Sequence, residues 1–118
     1  MGETEYKIAV ASGDGIVVNS HFGRAKTFWI FALKNGELKH LETRYVVPVC
    51  EMGTHDEARL KENVERLLDC THILAARIGD GARAVIESYG INVYELPGII
   101  AESVDKMIRY EMVNKLFE

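Results

Sequence analysis

The chain has 118 residues, a formal net charge of -4 and a hydrophobic fraction of 47%. These values fit a single domain over residues 1–118 and exclude wholesale disorder, and no apolar run reaches the roughly 18–20 residues that cross a bilayer. The acidity argues against a nucleic-acid partner, which would call for basic surface to neutralise phosphates. Two cysteines and four histidines exclude a four-cysteine metal site within one chain.

The start of the chain, Met1-Gly2-Glu3-Thr4-Glu5, is polar and acidic and does not read as a signal peptide, so a cytoplasmic location is expected. Tyr6 to Ala11 is a β-rich run stopped by Ser12-Gly13-Asp14-Gly15. Thr27 to Leu33 is apolar almost throughout, as a strand covered on both faces should be. Asn35-Gly36 then marks a tight hairpin, because both residues tolerate positive φ. The return strand is expected from Leu38 to Val47, with Leu41, Thr43, Tyr45 and Val47 on one face and His40, Glu42 and Arg44 on the other.

The second half alternates helix and strand. Thr54 to Glu57 spells a capping box, and Leu60, Val64, Leu67 and Leu68 trace the apolar stripe of a first helix. Thr71 to Ala76 reads as a buried strand, Asp80 as the cap of a second helix with Ala82, Val85, Ile86 and Tyr89 on its apolar face and Gly90 at its end, and Ile91 to Leu96 as another strand. Ile100, Val104, Met107, Ile108 and Met112 mark the last helix. The expected order is β-β-β-α-β-α-β-α, an α/β fold with a five-stranded mixed sheet and helices on both faces. That is the ribonuclease-H-like order.

Four places carry candidate chemistry. A nuclease would need clustered carboxylates for two metal ions, and the first strand has none, leaving Asp14 without a partner. Gly79-Asp80-Gly81-Ala82-Arg83-Ala84 fits G-x-G-x-x-A between a strand and a helix, a context that suits a nucleotide or phosphorylated metabolite. Glu95 or Glu102 would have to supply the ribose-binding acid, and a plain strand-to-helix turn explains the same residues. Asn19-Ser20-His21-Phe22-Gly23-Arg24-Ala25 joins an imidazole, which ligates iron, zinc or copper, to a guanidinium that pairs with anions. A turn-capping histidine is the plainer alternative. Cys50 and His55 flank a loop holding Met52, with His55 expected in the first turn of a helix whose N-terminus would favour the thiolate. A buried, inert cysteine is the plainer alternative there. Cys70, Trp29 and Phe31 read as core, and His40 and His72 as structural or solvated.

The sequence resembles the dinitrogenase iron–molybdenum cofactor biosynthesis family, the NifX-like domain that also forms the C-terminus of NifB. The resemblance rests on Lys7-Ile8-Ala9-Val10-Ala11-Ser12, Val18 to Phe28, Leu68-Asp69-Cys70, Ala76 to Ala82 and Tyr89 to Tyr94, with His21-Phe22-Gly23-Arg24-Ala25 its most specific part. It implies a ribonuclease-H-like fold and a non-catalytic role. Members bind, protect or hand over anionic metal–sulfur clusters, including the iron–molybdenum cofactor, its iron–sulfur precursors and related molybdenum–copper–sulfur clusters. Without the radical-enzyme domain fused in NifB, the expected role is that of a carrier or accessory. On this reading the cofactor-binding residues are His21, Phe22, Gly23, Arg24, Cys50 and His55. His21 and Cys50 are the metal ligands, and Met52 is a weaker candidate. The cluster is held transiently and none is tightly bound. The partners are cluster donor and acceptor proteins, with a homodimer as a way to complete the ligand set.

Overall fold

The computed structural model describes residues 5–51, 54–55 and 57–116, with only the backbone of Cys50, Glu51, Thr54 and His55. In chain order it contains β1 (Glu5–Ala11), β2 (Val17–Val18), a 3-10 turn (Phe22–Arg24), β3 (Thr27–Lys34), β4 (Glu37–Tyr45), β5 (Cys50–Glu51) and β6 (Thr54–His55). Then follow α1 (Glu57–Glu65), β7 (His72–Ala75), α2 (Asp80–Ser88), β8 (Asn92–Glu95), β9 (Gly98–Ile99) and α3 (Ile100–Leu116). The principal sheet runs β4-β3-β1-β7-β8. β1, β3 and β4 pair antiparallel, whereas β1, β7 and β8 pair parallel. This is the mixed five-stranded sheet with three helices that the pattern predicts. The two-residue strands are additions: β2 pairs with β9, and β5 with β6. Pieces that short have no periodicity to read.

The alternation of side chains along each strand builds two cores. Ala9, Phe28, Ile30, Ile73 and Ala75 face Leu60 and Val64 of α1 and Ala82 and Ile86 of α2. Ile8, Val10, Phe31 and Leu74 face Ile100, Val104 and Met107 of α3. Ile86 and Met107 are completely buried, and each such side chain stabilises the fold by roughly 1.5–3 kcal/mol relative to exposure. The hairpin turn carries positive φ at both Asn35 (53°) and Gly36 (79°), as the Asn-Gly pair requires.

Three expectations are corrected. Thr54 does not cap α1: it pairs with Glu51 in the β5–β6 ribbon, and the helix begins at Glu57. His55 accordingly lies in that ribbon and not in a helical turn. The α1 stripe also changes step. Leu67 N–H donates to Val64 O and Cys70 N–H to Leu67 O, both at 2.9 Å, so the last turn tightens to a three-residue repeat. Val64, Leu67 and Cys70 are buried as a result, and Leu68 is left 49% exposed. In β4 the register shifts opposite Ile30/Phe31, so that Ile30 faces Glu42 while Phe31 faces His40, and Leu41 bulges. The extra residue moves His40 onto the same face as Thr43. There its ring lies 4.9 Å from Trp29 and 5.4 Å from Phe31.

Asp69 ties three elements together. Its carboxylate accepts two hydrogen bonds from Arg44 of β4, each 2.7 Å, and pairs with Lys7 of β1 at 2.7 Å. The Arg44 guanidinium, with Lys7, holds the Asp69 carboxyl well below the usual carboxylate range. A depressed native pKa stabilises the fold above the unfolded pKa of about 4 and loses that contribution as the pH falls toward the native value. With Asp69 44% exposed, solvent screening reduces the contribution. Asp69→Asn should cost about 1–2 kcal/mol and lower the melting temperature by about 5 °C at neutral pH. Melting curves should show that deficit shrinking below about pH 4.

Candidate functional site

The parallel strands place the site. β1 leads by way of the 3-10 turn to β3 on one side of the sheet, whereas β7 leads through α2 to β8 on the other. The connections diverge beyond the carboxyl ends of β1 and β7, and such a divergence opens a crevice where ligands of α/β sheets bind. His21 and Arg77 meet there as partners of a parallel bridge. Phe22 N–H donates to Arg77 O at 2.9 Å, and Ala76 N–H to Ser20 O at 3.0 Å.

The 3-10 turn is shaped by its own sequence. Phe22 is 2% exposed and packs at 5.4 Å on Phe28, which pins the turn to the core. Polar His21 and Arg24 stay exposed on either side of it. The cavity beside the turn has a volume of about 450 Å³. Its buried lining is apolar: Phe22, Val49, Leu60, Ile78 and Ala82. Its exposed lining is His21, Arg24, Arg77, Gly79 and Gly81. Two guanidiniums thus border the cavity and, among the described residues, no carboxylate lines it, although the chain as a whole carries -4.

The two sequence motifs converge on this one place. Gly79, and not the expected Asp80, caps α2, with ordinary extended dihedrals (φ -74°, ψ 156°) and no side-chain capping bond, because the helix already includes Asp80 as its first residue. A Cβ added at Gly79 or Gly81 would meet nothing within 4 Å. Neither glycine is demanded by backbone conformation or by packing, so both simply leave the cavity wall bare. The acid expected for a dinucleotide is not available. Glu95 accepts a 2.7 Å hydrogen bond from Ile78 N–H, and Glu102 belongs to α3, which packs on the opposite face of the sheet.

Cys50 follows the cavity residue Val49 directly. The Cα atoms of β5 approach those of the Phe22–Arg24 turn within 8 Å. Cys50 and His55 are direct Cα partners across the ribbon, while Met52 lies outside the described residues, as do the side chains of Cys50 and His55. Among the described residues no group of three His, Cys, Asp or Glu side chains is placed to hold a metal ion.

The remaining candidates serve structure. Cys70 is 4% exposed, and burial pushes its thiol up to about 12, which keeps it protonated at neutral pH. His72 is buried between Thr71 Oγ1 at 2.8 Å and Glu111 Oε1 at 3.1 Å. Asp14 Oδ1 accepts N–H bonds from Ile16 at 2.9 Å and Val17 at 3.1 Å, which holds its carboxyl below the usual range. It organises a turn. Arg77 is the residue that sequence reasoning passed over. Its signal was its position, two residues after a fully buried parallel strand.

Residues 4–110 match the family model described as dinitrogenase iron-molybdenum cofactor. The FeMo cofactor biosynthesis protein NifB of Frankia alni is 35% identical over 100 residues, 82% of this chain and 20% of that protein. NifB of Chlorobaculum tepidum is 30% identical over 82% of this chain and 22% of its own length. The chain therefore spans about a fifth of the length of these relatives. An uncharacterised Methanocaldococcus jannaschii protein is 27% identical over 84% of this chain and 80% of its own. The NMR structure of a NifB-named protein from Thermotoga superposes with a TM-score of 0.61 at 21% identity, covering 88% of each chain. That last likeness shows the fold alone. The family match over nearly the whole sequence shows that this chain belongs to the dinitrogenase iron–molybdenum cofactor family.

Proposed function

We propose that the chain receives, shelters and hands on an anionic metal–sulfur cluster in the cavity between the 3-10 turn and α2, and catalyses no reaction itself. The observation that carries this reading is the placement of Arg24 and Arg77 at the edge of an apolar floor that, among the described residues, no carboxylate lines. A metal–sulfur cluster spreads its negative charge over soft, weakly hydrated sulfides. An apolar floor costs such a cargo little desolvation, and guanidiniums at the edge offset its charge. A small hydrated anion would gain less from the same walls.

His21 supplies an imidazole ligand and Cys50 a thiolate, with His55 opposite Cys50 as the reserve. Phe22 fixes the turn that presents His21, and Gly23 and Arg24 complete its edge of the cavity. One or two protein ligands leave most of the cluster surface open, so an acceptor protein can take it. A second copy of the chain could complete the ligand set. The cargo is the iron–molybdenum cofactor, its iron–sulfur precursor or a related molybdenum–copper–sulfur cluster, passed between donor and acceptor proteins in the cytoplasm. The strand order, with the first antiparallel strand central and the two later parallel strands beside it, supports a ribonuclease-H-like label for the scaffold.

Anaerobic reconstitution with iron and sulfide should give visible charge-transfer bands and iron retained through desalting. His21→Ala and Cys50→Ala should each lower the retained iron at least severalfold. If both variants keep as much iron as the wild type, the ligand assignment is wrong. The alternative, a nucleotide or phosphorylated metabolite at Gly79–Ala84, claims the same cavity. It is weakened by the engagement of Glu95 with Ile78. A melting-temperature increase with nucleotides, together with no iron uptake, would reverse the ranking.

A further inference from the structure

The segment between β4 and Cys50 is held from outside by α1. Asn63 is 2% exposed, and its Nδ2 donates to Val47 O at 2.6 Å. Arg59, one helical turn earlier, donates from Nη1 to Pro48 O at 3.1 Å. Two successive carbonyls are thus gripped from one face of α1, immediately before Val49 in the cavity wall and Cys50 beyond it. α1 is itself anchored in the core by Leu60 and Val64, so the grip is rigid.

Stability does not account for this arrangement. The Oδ1 of Asn63 is buried and has no hydrogen-bond partner among the described residues. An orphaned buried acceptor is an unfavourable feature, of a kind that native proteins rarely keep. Val47 is 49% exposed and its bond with Asn63 is only partly buried, so the core does not require this bond to close it. A leucine, bulkier but branched at the same carbon, would remove the orphan. What it would also remove is the fixed path of the chain into Cys50.

We infer that Asn63, with Arg59, is a positioning residue that sets Cys50 relative to His21 and thereby fixes how firmly the cavity holds its cargo. This rests on the cluster-binding reading and adds a residue to it. The test uses the full chain reconstituted with iron and sulfide. It follows the release of iron to a chelator, the charge-transfer spectrum and the melting temperature. Asn63→Leu should release iron about tenfold faster than the wild type, with altered charge-transfer bands and a melting temperature equal or higher. In a Cys50→Ala background the same substitution should change the release rate no further, because the path it acts through has been removed.

Release at the wild-type rate, or an undiminished effect in the Cys50→Ala background, overturns the inference. Should Asn63→Leu fail to fold, Arg59→Met carries the same comparison with a smaller effect. A wild type that retains no iron fails at an earlier step, and that result counts against the cluster reading itself.

Discussion

Replacing Arg24 and Arg77 together by alanine should weaken binding of tetrathiomolybdate, a soft dianion, by about a hundredfold. The two side chains line the cavity from separate elements, one in the 3-10 turn and one after β7. At the effective dielectric of a protein surface, a unit charge pair a few ångströms apart is worth several kcal/mol before screening. Both arginines are exposed, so mobility and salt reduce this to about 1–1.5 kcal/mol each, or roughly tenfold per residue. Titration calorimetry at two salt concentrations tests the argument. Wild-type affinity should fall as salt rises, because the attraction is screened over about 10 Å at 0.1 M. The double variant should be weak and nearly indifferent to salt. An affinity within threefold of the wild type would mean that the guanidiniums point elsewhere in solution and that the charge argument for the cargo fails.

How much of this was legible beforehand depended on what kind of signal each feature leaves. Long periodic runs left a strong one: the apolar stretch around Phe28 to Leu33, the Asn35-Gly36 turn and the stripe of α3 from Ile100 to Ile108 appear where the pattern puts them, although Met112 at the end of that stripe is 63% exposed. Local irregularities left none. The bulge at Leu41 reverses the faces of half of β4, and nothing in strict alternation announces it. The three-residue step from Val64 to Cys70 is likewise invisible to a 3.6-residue template. The His21 segment was readable because imidazole, glycine and guanidinium fall together in one short stretch. The site was not readable as a site, since it is made by tertiary contact. Two motifs more than fifty residues apart, treated as rivals in the sequence, line one cavity because β1 and β7 are neighbours in the sheet. Arg77 went unnoticed for the same reason: its meaning comes from its bridge to His21.

The bare wall of that cavity makes the second large prediction, in which stability and binding move in opposite directions. Gly81 sits in the first turn of α2, where a Cβ would meet nothing within 4 Å. Glycine at a helical position with ordinary dihedrals costs stability, through the extra freedom it gives the unfolded chain. Gly81→Ala should therefore stabilise the fold by about 0.4–1 kcal/mol, visible as a rise of a few degrees in melting temperature. Gly81 lines the cavity, so if the cavity holds the proposed cluster, iron retention after reconstitution should drop by a few fold. Gly81→Val extends the test. Its branched side chain fills more of the 450 Å³ cavity and should cut retention by tenfold or more, while β-branching offsets part of the helical gain. The opposing directions separate the two explanations for the glycine. If it served packing or backbone geometry, both substitutions would lower the melting temperature, and retention would suffer only as the fold weakened. If it keeps the cavity open, the alanine variant is at once the more stable protein and the poorer carrier. A stabilised Gly81→Ala that binds as much cluster as the wild type would move the cargo away from the α2 wall and toward the β5–β6 ribbon, leaving His21 and Cys50 as the ligands to be tested there.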